Sequence, residues 1–225
     1  MIVKQQVIID KSCTFCKLHI IQPCYFMNWI QHPVILEGDK VKLVPLEHSH
    51  FPELIAIAKD ERIWEHISIN GVDSDRMEQH LKSAILKRGT GEQYPFTVID
   101  KLTNKIIGST FLHNIFPEHR KLEIGWTWYT PDYWRTGYNR ECKLLLLSYC
   151  FETLKAVRVQ LQTDATNIRS RSAIAGIGAT FEGIMRKERI RANGVFRNTA
   201  MYSIIDEEWD TVQSMLIAKA SKIYT

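Results

Sequence analysis

Trp134-Arg135-Thr136-Gly137-Tyr138-Asn139-Arg140-Glu141 is the stretch on which the reading of this chain turns. It follows a well-patterned strand, Lys121 to Tyr129, and opens a helix predicted from about Gly137 to Leu154. A basic, glycine-bearing turn between a strand and a helix is a place to hold a phosphate. The first amides of a helix have no intrahelical partner, and the helix dipole adds positive potential there. A phosphorylated cofactor is therefore the first expectation.

The strand ahead of the turn alternates. Leu122, Ile124, Trp126 and Trp128 are expected on one face, Glu123, Gly125, Thr127 and Tyr129 on the other. Glu123 is the one carboxylate in this otherwise apolar strand. Behind the turn the helix is apolar over most of its circumference, with Glu141, Ser148, Glu152 and Lys155 as its polar stripe. That is the pattern of a helix buried against a sheet with one face wet.

Further out, Val157 to Asp164 reads as a strand, and Asn167 to Ile177 as a helix ending at Gly178. Strands Thr180 to Arg191 and Thr199 to Ile205 follow, joined through Asn193-Gly194, a strong hairpin signal. Toward the N-terminus, Val41 to Leu46 alternates like a strand. A helix carries Phe51, Leu54, Ile55 and Ala58 on one face. A second carries Met77, Leu81, Ala84 and Ile85, capped by Asp73 or Ser74 and ended by Gly89 and Gly91. Strands Tyr94 to Asp100 and Lys105 to His113 flank the turn Lys101 to Asn104, and Glu207 to Lys222 reads as a closing helix. The element order predicts a mixed α/β (α+β) fold, with helices flanking a mostly antiparallel central sheet.

Bulk composition narrows the classes. A chain of 225 residues, 45% apolar, suits one domain with a sizeable core. The net charge of +4 is mild and dispersed, which disfavours a nucleic-acid binder. No apolar run approaches the roughly 20 residues of a membrane span, and the N-terminus is not a convincing signal peptide, so a cytoplasmic protein is expected. Five cysteines, an odd number, argue against a pure disulfide framework. Residues 1–32 read as an N-terminal appendage, of which the first 26 are consistent with an upstream start codon. Cys13, Cys16, His19 and Cys24 approach the composition of a zinc knuckle, but the second Cys and the His are too closely spaced, and free thiols are the preferred reading.

Three motifs in this order resemble the GNAT N-acetyltransferase superfamily, and within it the RimJ/RimL-like branch. They are Leu122-Glu123-Ile124-Gly125-Trp126, then Tyr133-Trp134-Arg135-Thr136-Gly137-Tyr138, then Asn167-Ile168-Arg169-Ser170 with Ile177-Gly178-Ala179-Thr180-Phe181-Glu182-Gly183. The resemblance covers roughly residues 36–210, with a C-terminal helix or tail over 207–225. Two positions depart from the family loop: Trp134 stands where Gln or Arg is usual, and Asn139 where Gly or Ala is usual.

The resemblance implies a sheet splayed between its middle strands and acetyl-CoA as co-substrate, with no metal. Arg135, Thr136, Gly137, Tyr138, Asn139 and Arg140 would hold the pyrophosphate. Trp126 and Trp128 would line the pantetheine groove chiefly through their backbones, though as side chains both read equally as core. Asn167 would meet the pantetheine amide, besides being a good helix cap. Glu123 is expected to act as base, with burial raising its pKa; the alternative is a salt-bridged structural Glu or a substrate-orienting one. Ser170 is the candidate acid near the sulfur, with Tyr202 as runner-up. The acceptor would be a primary amine, on a protein N-terminus or a small molecule, with Trp64, His66 and Arg76 as candidate pocket residues. His113 ends a strand near the groove and reads as either a substrate contact or a surface or core histidine. No membrane or nucleic-acid partner is implied, and a homodimer is left open. Trp134 and Asn139 motivate the alternative, a non-catalytic CoA-binding or interaction module with the same fold.

Overall fold

The computed structural model describes residues 29–67, 69–191 and 194–221. Cys13, Cys16, His19 and Cys24 lie outside them, as does Asn193 of the hairpin signal. Trp29 and Ile30 already pack on the main core, so the folded domain takes in the end of the segment read as an appendage.

An eight-stranded sheet organises the chain, in the order β1-β2-β3-β4-β5-β6-β8-β7. The strands are β1 (Leu36–Glu37), β2 (Val41–Pro45), β3 (Gln93–Asp100), β4 (Lys105–Phe116), β5 (Lys121–Tyr129), β6 (Arg158–Asp164), β7 (Thr180–Ile190) and β8 (Phe196–Ile205). Every neighbouring pair is antiparallel except β5 and β6, which run parallel. The helices are α1 (Phe51–Ile57), α2 (Ser74–Gly89), α3 (Tyr138–Ser148), α4 (Ile168–Gly176) and α5 (Trp209–Ser221).

Two apolar cores sandwich the sheet. One joins α3, α4 and α5 to the sheet through residues such as Leu146, Leu147, Ile174 and Leu216. The other joins α1 and α2 to it through Leu54, Met77, Leu81, Phe111 and Trp128. Helix α2 starts where its N-cap predicts: the Asp73 carboxylate accepts from the amides of Asp75 and Arg76. Helix α3 runs on through a π turn, Tyr149–Thr153, so the helix expected to reach Leu154 changes pitch before its end. No helix among the described residues is long and apolar enough to cross a membrane.

Strand β5 departs from a regular ladder in two ways. First, its alternation is not the simple one expected. Ser109 pairs with Trp128 and Phe111 with Gly125, so Thr110 faces two residues, Trp126 and Thr127. Trp126 takes up the extra length in a left-handed conformation, φ +49°. An extra residue reverses the pleat. Leu122 and Ile124 therefore join the α3 core, Trp126 and Trp128 pack on the α2 core, and Tyr129 returns to the α3 side.

Second, the sheet splays as expected. β5 pairs with β6 only from Lys121 to Glu123, opposite Arg158 to Gln160. Beyond Glu123 the two parallel strands part.

Candidate active site

The splay opens into a cleft of about 900 Å³, walled by β5, β6, the turn after β5 and α4. The turn is built to expose backbone. Arg135 and Gly137 are both left-handed, with φ +64° and +93°. Glycine adopts this conformation at no steric cost, and as N-cap Gly137 brings no side chain over the helix end. The first intrahelical bond runs from the Glu141 amide to the Gly137 carbonyl, which leaves the amides of Tyr138, Asn139 and Arg140 ahead of it.

Arg135, Gly137, Asn139 and Arg140 line the cleft as expected. Thr136 and Tyr138 do not, because their hydroxyls are engaged elsewhere. Thr136 Oγ1 donates to the Tyr133 carbonyl at 2.7 Å, and the Tyr138 hydroxyl donates to Asp100 Oδ1 at 2.9 Å. Burial and the Asp100 carboxylate push the Tyr138 phenol up to about 12, which keeps it a donor. Tyr138 thus fastens the turn to β3 and Thr136 ties it back on itself, so both serve a ligand only through their amides. Trp134 also has a structural task. Its indole N–H donates to the Tyr129 carbonyl at 3.0 Å, and the Arg169 guanidinium stacks 4.1 Å from its ring centroid. The residue that departs from the expected loop thus links the turn to the first turn of α4 across the cleft mouth.

Glu123, Trp126 and Trp128 line the cleft from β5, and Asn167 and Ser170 from α4. Trp128 packs its ring on Trp64 at 5.4 Å, so its side chain is core and its backbone faces the groove. Trp126 packs 4.8 Å from His80, which burial holds at about 4 and therefore neutral. Asn167 Oδ1 caps α4 by accepting from the Ser170 amide at 2.9 Å.

Glu123 is buried at 1% exposure and paired across the sheet with His113. Its Oε2 accepts from Asn114 at 2.9 Å and Gln160 at 3.1 Å. Its Oε1 stands 3.3 Å from His113 Nε2, yet the two are misaligned, and each is a buried atom without a hydrogen-bond partner. Burial pushes the Glu123 carboxyl up, as expected, but the His113 ring beside it and the donors around it outweigh burial, and the net shift is downward. The expected upward shift of this carboxyl is thus reversed by its neighbours. Gly125 makes room for the pair: a Cβ there would sit 2.3 Å from His113 Nε2.

Three other candidates fall away from the cleft. Tyr202 is buried against Phe181 and accepts from Arg171 at 3.1 Å. Trp64 is core, with its indole N–H on the Ala58 carbonyl, and Arg76 pairs with Asp73 at the start of α2. His66, by contrast, does line the cleft. Among the described residues no three His, Cys, Asp or Glu side chains come together as a metal would need.

The chain that carries this cleft is similar to known proteins. Residues 40–180 match the acetyltransferase (GNAT) domain family. The chain belongs to the GNAT acetyltransferases. An N-acetyltransferase of Bacillus subtilis described as uncharacterized, YoaA, is 24% identical over 76% of this chain and 96% of its own. A GCN5-related N-acetyltransferase of Brucella melitensis is 28% identical, with a TM-score of 0.77 over 84% of this chain and 86% of its own. The ribosomal L7/L12 α-N-protein acetyltransferase RimL, at 18% identity, shares the fold with a TM-score of 0.69 over 77% of this chain and 94% of its own.

Two residues of this N-acetyltransferase's cleft were missed in the sequence. Lys143 sits in the apolar face of α3, 6% exposed, and donates to Thr127 Oγ1 at 2.9 Å. Burial lowers it to about 8. Lys143 stands outside the polar stripe read from α3, and that displacement was its only signal. Arg197 on β8 is 7% exposed, with a buried Nε that has no partner. Nothing in its local sequence marks it.

Proposed function

We propose that the protein transfers the acetyl group of acetyl-CoA to a primary amine by direct attack in a ternary complex. The observation that carries this reading is the buried Glu123, its Oε1 beside His113 but without a hydrogen-bond partner, where β5 parts from β6 in the same cleft as the turn proposed to hold the phosphates. The amides of 138–140, with Arg135 and Arg140, take the pyrophosphate. The edge of β5 beyond Glu123 is free of β6 and offers backbone groups to the pantetheine. Lys143 adds positive charge on the α3 side of the groove.

An incoming ammonium is drawn to Glu123 Oε1. Glu123 takes the proton, and His113 Nε2, 3.3 Å away, is placed to carry it on. The neutral amine attacks the thioester carbonyl, the C–N bond forms as the C–S bond breaks, and CoA departs as a thiolate. The second proton of the attacking nitrogen passes through the Ser170 hydroxyl to that thiolate. A thiol of pKa about 8.5 is a competent leaving group, so alignment contributes more than acid strength. No nucleophilic enzyme intermediate is involved.

Thiol release from acetyl-CoA across a panel of primary amines tests the reading. Turnover with at least one amine is expected. Saturable acetyl-CoA binding with no release across the panel would favour the alternative of a CoA-binding module without catalysis.

A further inference from the structure

The acceptor end of the cleft holds a cation that the acetyl transfer itself does not use. Arg197 sits near the tip of the β7–β8 hairpin, opposite Arg189 in register, and both line the cleft. Ala200, Tyr202 and Ile204 of β8 lie in the α3 core, so Arg197 and Thr199, on the alternate positions, face the other side of the sheet. Glu123 shares that side, since its neighbours Leu122 and Ile124 face α3. The phosphate-holding turn belongs to α3, so Arg197 stands on the acceptor side.

The acids nearest to Arg197 are already engaged. Asp164 holds Arg191 at 2.6 Å and accepts from the Thr166 amide and hydroxyl. Glu188 holds Arg189 at 3.0 Å and accepts from Thr199 Oγ1 at 2.8 Å. Arg189, Arg191 and Arg197 thus face two acids, and no acid among the described residues lies within ion-pair distance of Arg197. A buried guanidinium without a carboxylate is costly, and an anion brought by a ligand would offset that cost.

Strand geometry sets the reach. Glu123 is level with Gln160, Gln160 with Ser203, and Arg197 lies six residues along β8 from Ser203. At about 3.3 Å per residue that is on the order of 20 Å between backbones. Side chains reaching in from both ends leave a gap that three or four residues of extended chain would cross, at about 3.3–3.6 Å each.

Resting on the proposed transferase activity, we propose that the acceptor is the N-terminal segment of a peptide, with an acidic side chain at its third or fourth position held by Arg197 and Arg189. The amine enters beside Glu123 and His113, and the acid anchors the segment at the hairpin. Positive charge at one end and negative charge at the other also fix the direction in which the peptide lies.

The test uses the full chain, acetyl-CoA and alanine hexapeptide amides with glutamate, glutamine or lysine at the fourth position. The C-terminal amide removes a competing carboxylate. The glutamate peptide is expected to exceed the glutamine peptide in kcat/KM by at least tenfold, with the lysine peptide lowest. In Arg197→Gln the ratio should fall close to one, with KM for acetyl-CoA unchanged; Arg197→Lys should keep part of it. The peptide comparison in the unaltered protein needs no variant to fold. Equal kcat/KM for the three peptides, or turnover of small amines alone, would overturn this inference and leave the transferase reading standing. An Arg197→Gln variant that loses acetyl-CoA affinity but keeps the peptide ratio would assign the cluster to the cofactor and overturn it as well. Silence with every peptide and amine would overturn both.

Discussion

The two ends of the cleft are made of different material. The end proposed for the cofactor is largely backbone: two left-handed residues, a helix start and amides ahead of the first intrahelical bond. The end proposed for the acceptor is side chains, and three of its buried polar atoms, Glu123 Oε1, His113 Nε2 and Arg197 Nε, have no hydrogen-bond partner. A backbone site tolerates side-chain changes and fails when a dihedral angle is forbidden. A side-chain site fails when one group is replaced.

The sharpest break of this contrast is Glu123→Gln. It keeps the shape and removes the proton acceptor, so kcat is expected to fall about 100-fold or more. KM for acetyl-CoA should hardly move, because the cofactor end is untouched. Steady-state kinetics with acetyl-CoA and the amine varied separately decide it; an unchanged kcat across pH would remove Glu123 from the proton path.

Lys143→Met tests a buried side-chain charge on the side proposed for the cofactor. Burial lowers Lys143 to about 8 from an ordinary 10.5. Between those values the unfolded chain holds a proton that the folded protein has released, so this residue makes wild-type stability rise with pH across that window. Below pH 8 the full cost of the buried charge remains. Lys143→Met should therefore be the more stable protein below pH 8, by an amount of order 2 kcal/mol. That advantage should shrink toward pH 10. Paired denaturant titrations at several pH values measure the difference; an advantage that does not vary with pH would sink this account.

Gly137→Val probes the backbone end directly. A β-branched residue at φ +93° is strained by about 1–3 kcal/mol, so the turn should shift. Acetyl-CoA affinity is expected to fall roughly tenfold, readable by calorimetry. Wild-type affinity would rule out this turn as the phosphate site.

Tyr138→Phe is the mild counterpart. It removes one hydroxyl from Asp100 and leaves the amide in place. A loss of about 1 kcal/mol in stability is expected, with acetyl-CoA affinity within twofold of wild type. A large loss of affinity would show that the Tyr138 side chain, and not only its amide, serves the cofactor.

The same contrast explains what could be read in advance. Gly137 and the apolar pattern behind it announce a helix start after a strand, because glycine freedom and helical periodicity are local properties. The element order, the mostly antiparallel sheet and the parting of β5 from β6 followed from that pattern and from the family resemblance. The pairing of Glu123 with His113 was hidden, since it depends on the register between β4 and β5. The bulge was hidden too: Trp126 is a poor sequence marker for a left-handed residue. Lys143 was lost among the leucines of α3. Trp134 departs from the family loop in sequence, and its task shows only in the stacking of Arg169 on its ring.

That bulge works like a frameshift written in three dimensions. Up to Ile124 the strand is read in one frame, and from Trp126 in the other, so a single element addresses two cores with opposite parity. Deleting one residue there would not merely shorten β5. It would exchange the addresses of everything downstream: Thr127 would turn away from Lys143, Trp128 would leave Trp64, and Tyr129 would leave the α3 side. Length at this point of the chain is information, and the protein has one residue in which to store it.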